Sequence, residues 1–216
     1  MARSAYGDLN TNVLLSEFAT MCERSPAPDG DWQGDGWGVA WQGDDGWQVK
    51  KSLSPIWQER HMFVTVPPTK MLVAHARSAG FPQHKGNIEF NQPYTEGGVC
   101  FVFNGMLRGV SIPIKLEGVI GAQKIFSFLR HEVAKKTGDE ALRALAATAK
   151  AHTRHIVGMN VGLVRGDRLF ALCDYTDNEE YFSVRYYQDS CLTLLCSAPL
   201  RPYVWKKMKR GEILAF

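Results

Sequence analysis

The sequence predicts an α+β protein of layered, largely antiparallel sheets. Helix-like and strand-like segments are segregated along it: a helix, several strands, two adjacent helices, then several strands. A doubly wound parallel sheet would need regular βαβ alternation instead. The composition is that of a globular protein, with 45% of the 216 residues hydrophobic and 22% charged. That length suits one large domain or two small ones.

Each element has a local reason. Residues 11–24 place Val13, Leu14, Phe18 and Met21 at helical spacing, with Asn10 or Thr11 as N-cap. Ser25 to Gly36 is a Pro/Gly/Asp-rich loop. Trp37 to Trp41 and Trp47 to Lys51 are strands joined by the turn Gly43-Asp44-Asp45-Gly46, a hairpin pattern. Residues 53–63 read as irregular or briefly helical, and Pro67-Pro68 stops regular structure. Met71 to Ala76 is a buried strand, Arg77 to Gly98 a polar loop, and Val99 to Phe103 a second apolar strand closed by Asn104-Gly105. Val119 to Lys136 carries Ile125, Leu129 and Val133 on one helical face, with Gly138 as its C-terminal breaker. Asp139 to His152 is an Ala-rich helix. Strands follow over 156–164, 168–174, 181–187, 191–197 and 211–216.

Composition excludes several functions. Twenty-five Lys+Arg against 22 Asp+Glu give a net charge of +3, too small and scattered for nucleic acid. The basic run Lys206 to Arg210 reads as a solvated surface segment. No apolar stretch reaches the ~18–20 residues of a membrane span, and the N-terminus lacks a signal-peptide core. A cytoplasmic protein with no membrane contact is expected. Five scattered cysteines without CxxC spacing argue against zinc fingers and a disulfide framework. Cys100, Cys191 and Cys196 read as small buried hydrophobes, and neither a metal nor a cofactor is implied. Five of the six Trp and six of the 20 Gly fall between Gly30 and Trp57. Trp32, Trp37, Trp41, Trp47 and Trp57 therefore form a candidate contact surface, with core packing as the competing role.

Four short segments exceed what a core requires. Gly34-Asp35-Gly36-Trp37-Gly38 reads as a Gly-rich turn or a site of close backbone approach. In His75-Ala76-Arg77, the arginine at a strand end reads as a surface ion pair or a carboxylate fork. His75 reads as a satisfied core histidine. Asn104-Gly105 fits a hairpin turn, or an oxyanion site made by an amide and a glycine N–H. Ser197-Ala198-Pro199-Leu200 closes a strand near the C-terminus.

Taken in that order, the segments resemble a class II glutamine amidotransferase domain, of the small stand-alone type, across nearly all of residues 1–216. The resemblance implies an N-terminal-nucleophile hydrolase fold: a four-layer αββα sandwich forming a single domain. It implies an N-terminal cysteine nucleophile, its own amine serving as base, at the position of Ala2. Arg77 would bind the α-carboxylate of glutamine, and Gly36 and Trp37 would be further substrate-binding residues. Asn104 and Gly105 would form the oxyanion hole. Glutamine or a related small carboxylate is the implied ligand, and a synthetase or other partner subunit the recipient of ammonia.

The sequence departs from that pattern. A methyl group stands at Ala2, so acyl transfer has no first step. Gln33 and Phe103 replace histidines. Ala122, in Gly121-Ala122-Gln123-Lys124, stands where an aspartate would hold the α-amine, and Ala198 replaces a glutamate. The resulting expectation is an amidotransferase-like chain that is inactive as written. The alternatives are a non-catalytic binding or regulatory subunit, an active enzyme whose cysteine was exchanged for alanine, and a hydrolase using Ser4 after processing.

Overall fold

The computed structural model describes residues 1–28 and 30–216. The strands are β1 (Ala2–Ser4), β2 (Trp37–Gly43), β3 (Gly46–Ser52), β4 (Met71–Ala76), β5 (Tyr94–Glu96), β6 (Val99–Val110), β7 (Thr153–Arg165), β8 (Arg168–Cys173), β9 (Arg185–Gln188), β10 (Leu192–Cys196), β11 (Lys206–Lys207) and β12 (Glu212–Ala215). The helices are α1 (Thr11–Glu23), α2 (Gly121–Val133), α3 (Gly138–His152) and the short α4 (Glu179–Phe182). Seven strands form one antiparallel sheet in the order β11-β9-β10-β1-β4-β2-β3. Five form the other, in the order β12-β8-β7-β6-β5.

Strand alternation builds the layers. In β6, Val99, Phe101 and Phe103 pack outward with Leu129, Leu142 and Leu145 of α2 and α3. Cys100 turns the other way, into the core between the sheets with Met71, Val73 and Val164. In the seven-stranded sheet, Ala2, Trp37, Val39 and Leu72 face Leu14, Leu15 and Ala19 of α1. The result is the expected four-layer αββα sandwich, α+β in class.

Local chemistry fixes the helix starts. The Asn10 carboxamide oxygen accepts from Val13 N–H at 3.1 Å, offsetting one orphan donor. The Gln123 side chain accepts from Val119 N–H at 2.8 Å ahead of α2. The Glu140 carboxylate accepts from Thr137 N–H at 2.9 Å at the start of α3.

Several expectations change. Asn104-Gly105 is not a turn. It lies within β6, with Asn104 opposite Asn160 and Gly105 opposite Met159. The apolar run ends at Phe103 because the later residues border a cavity, so polarity misplaces the strand end. Residues 181–182 belong to α4, and the strand begins only at Arg185. Gly138 opens α3 rather than closing α2. Val13 is exposed, and the buried face of α1 runs through Thr11, Leu14, Leu15, Ala19 and Cys22. Cys191 is exposed and Cys196 half-buried, unlike Cys100. Trp37 is fully buried and Trp41 and Trp57 pack beside it, so the five tryptophans form no common surface. Trp32 alone of the five is exposed.

Candidate functional site

Two cavities of about 490 and 600 Å³ lie beside β4 and β6, the larger reaching Ile125 and Phe128 of α2 and Leu145 of α3. Gln33, His75, Phe103, Asn104 and Tyr181 border both. These five therefore stand where the cavities meet.

β4 delivers His75 and Arg77. Met71 and Val73 face the other sheet, and alternation aims His75 and Arg77 the same way. Arg77 lies just beyond the strand, but its backbone keeps the ladder going: its N–H donates to Gly36 O at 2.9 Å, and Asp35 N–H donates to Arg77 O at 2.9 Å. Its guanidinium is not on the surface, since the residue is only 6% exposed. Nη2 donates to His84 O at 3.0 Å, the head lies over the Phe90 ring, and Nη1 has no hydrogen-bond partner. Burial lowers its pKa, opposed by Tyr94 and Asp35, yet arginine remains a cation at neutral pH. The surface ion-pair reading fails because the loop at 80–90 folds over the strand end.

His75 is not a satisfied core histidine. It borders both cavities, and its Nδ1 has no partner. Burial, reinforced by the Arg77 charge and opposed by a bond with the Phe103 backbone, lowers its pKa to about 4. The ring is therefore neutral at pH 7.

β6 delivers Asn104 to the same junction. Across the ladder, Asn160 donates through Nδ2 to Phe182 O, and its Oδ1 has no partner. Gly105 borders the larger cavity. A Cβ there would lie 2.0 Å from Gly158 O, so the backbone approach alone demands glycine.

The glycine-rich segment acts through packing. A Cβ on Gly36 would lie 2.2 Å from Asn91 Nδ2, and one on Gly38 would lie 2.4 Å from Gln92 O. The bare backbone thus lets residues 91–92 lie against β2. Gln92, buried there, accepts from Phe103 N–H at 2.6 Å and donates to Phe103 O at 3.1 Å. Trp37 points away from both cavities, into the core beneath α1, where Nε1 donates to Glu59 at 2.7 Å.

Position 2 also turns away. Ala2 packs among Leu14, Leu15 and Leu194 on the α1 side, while the Met1 side chain enters the smaller cavity against Gly162. Ala122 lines the larger cavity from the first turn of α2. Ser197, Ala198 and Pro199 line the smaller one. The larger cavity thus gathers Arg77, Asn104, Gly105 and Ala122, whereas Ala2, Gly36 and Trp37 border neither cavity. Sequence reasoning missed Gln92, whose only signal was a polar residue before Pro93, and the bond from Gln33 Nε2 to Tyr181 Oη at 2.9 Å.

No protein-family model and no curated protein matches the sequence. Solved structures do. A glutamine aminotransferase class-II domain protein from Silicibacter pomeroyi superposes with a TM-score of 0.63 at 17% identity, over 83% of this chain and 86% of that one. A predicted glutamine amidotransferase from Pseudomonas aeruginosa gives 0.57 at 16% identity, covering 84% of each chain. Glutamine phosphoribosylpyrophosphate amidotransferase from B. subtilis gives 0.68 at 9% identity, over 99% of this chain and 46% of that one. The chain therefore has the fold of class II glutamine amidotransferase domains, in strongly divergent sequence.

Proposed function

We propose that this protein is an amidotransferase-fold binding protein that holds a small carboxylate at Arg77 and does not hydrolyse amides. Residues 1–216 act as one domain in this reading. Arg77 anchors the carboxylate through its unpaired Nη1. The Asn104 amide and the Gly105 backbone face whatever group the ligand presents beside it. Gly36 holds the Arg77 backbone, and Trp37 supports the strand from behind.

One observation carries the catalytic half of the reading: β1 directs the Ala2 methyl into the α1-side core and the Met1 thioether toward the cavity. Neither group is a nucleophile. A protein that binds without turnover suits a regulatory or partner-docked role, consistent with the loss of an aspartate at Ala122.

The test is ammonia release from L-glutamine by the full chain and by Ala2→Cys freed of Met1. Neither is expected to exceed the background hydrolysis rate. Turnover by either folded protein would overturn the reading and restore an amidotransferase.

A further inference from the structure

We infer that the larger cavity takes an apolar monocarboxylate, an acid with a hydrocarbon body and no ammonium group. This rests on the reading of Arg77 as a carboxylate anchor and goes further by naming the rest of the ligand.

Charge is the first observation. The residues bordering the cavity include Arg77, Arg108 and Lys124 and, among the described residues, neither Asp nor Glu. Arg77 donates through Nη2 to His84 O and feels the Asp35 charge, but its buried Nη1 is unpaired, so one charged donor atom remains free. A carboxylate oxygen can accept a charge-assisted hydrogen bond from Nη1. Among the described residues bordering the cavity an ammonium would meet no carboxylate; Asp35, which acts on Arg77 from outside the lining, is engaged by the Ala79 N–H and Lys85. The neutral His75 ring adds no counter-charge.

The walls are the second observation. Phe81, Phe90, Ile125, Phe128, Leu145 and Val157 line one part of the space. Ala122, on the first turn of α2, contributes only a methyl there. Among the described lining residues an amino acid's ammonium would thus be buried without a carboxylate partner, which is unfavourable. A hydrocarbon body meets surfaces of its own kind. The cavity of about 600 Å³ falls in the range of small-molecule sites.

The experiment is isothermal titration calorimetry on the full chain at pH 7, with octanoate, octanol, octylamine and L-glutamine as probes. Octanoate is expected to bind one per chain, octanol at least tenfold more weakly, and octylamine and glutamine not measurably. Arg77→Met should weaken octanoate at least tenfold and leave octanol unchanged. Ala122→Asp should weaken octanoate at least tenfold by adding a negative charge. If Arg77→Met fails to fold by circular dichroism, the Ala122→Asp titration decides. Glutamine binding as tightly as octanoate, and lost in Arg77→Met, would overturn the apolar ligand while leaving the carboxylate anchor intact. Equal binding of octanoate and octanol, insensitive to both substitutions, would overturn both. So would a folded chain that binds none of the four probes.

Discussion

The side chain of Gln92 pairs with the backbone of Phe103 as a neighbouring strand would, accepting from its N–H at 2.6 Å and donating to its carbonyl at 3.1 Å. Both groups are buried at this point of β6, one residue before Asn104. One carboxamide thereby satisfies two backbone groups and fixes the edge from which Asn104 meets the cavity junction.

Gln92→Ala should therefore leave the Phe103 N–H unpaired, while His75 still bonds the Phe103 backbone. A buried unpaired polar group costs about 1–3 kcal/mol, and a loss of that size is expected in urea unfolding. A loss under about 0.5 kcal/mol, the scale of ordinary surface changes, would mean the pairing is dispensable.

The same strap depends on a missing side chain. Gly38→Ala would place a Cβ 2.4 Å from Gln92 O, against rigid backbone. Destabilisation of at least about 2 kcal/mol is expected, since the strap must shift or the strand bend. Unchanged stability with an unchanged crystal structure would refute the close approach.

Protonation of His75 links stability to pH. Its pKa falls from 6.5 in the unfolded chain to about 4 in the folded one, chiefly through burial. Between those values the unfolded state binds more protons, so His75 makes stability rise with pH from about 4 to 6.5 and then level off. The contribution at pH 7 is about 3 kcal/mol, lost progressively as pH falls below 6.5. His75→Gln should flatten this part of the stability curve. An unaltered slope in the variant would show that the ring titrates normally.

The thiols should separate by burial. Cys191 is exposed and Cys196 half-buried, whereas Cys22, Cys100 and Cys173 are buried and burial raises the pKa of each. Thiolate is the reactive form. Mass spectrometry after native alkylation should find Cys191 modified first and the three buried thiols only after unfolding. Early labelling of Cys100 would show an opening between the sheets.

Much of the fold was legible because period and punctuation agree. The 37–51 hairpin, the 71–76 strand and the paired helices before the C-terminal strands follow from alternation, turn residues and apolar spacing. The site was legible only in part. Arg77, Asn104 and Gly105 border one cavity. The direction of each side chain was not readable: Ala2 and Trp37 face α1, because strand parity depends on which residue starts the ladder. Asn104-Gly105 has turn chemistry yet lies in mid-strand, since cross-strand pairing with β7 overrides local preference. Gln92 and Gln33 act through contacts far apart in sequence, for which no local pattern exists.

The carboxylate anchor is tested most directly by a crystal structure of the chain with octanoate. A carboxylate oxygen is expected within hydrogen-bond distance of Arg77 Nη1, with the alkyl chain running between Phe90 and Ile125. A ligand bound elsewhere, with Nη1 still unpaired, would contradict the anchor.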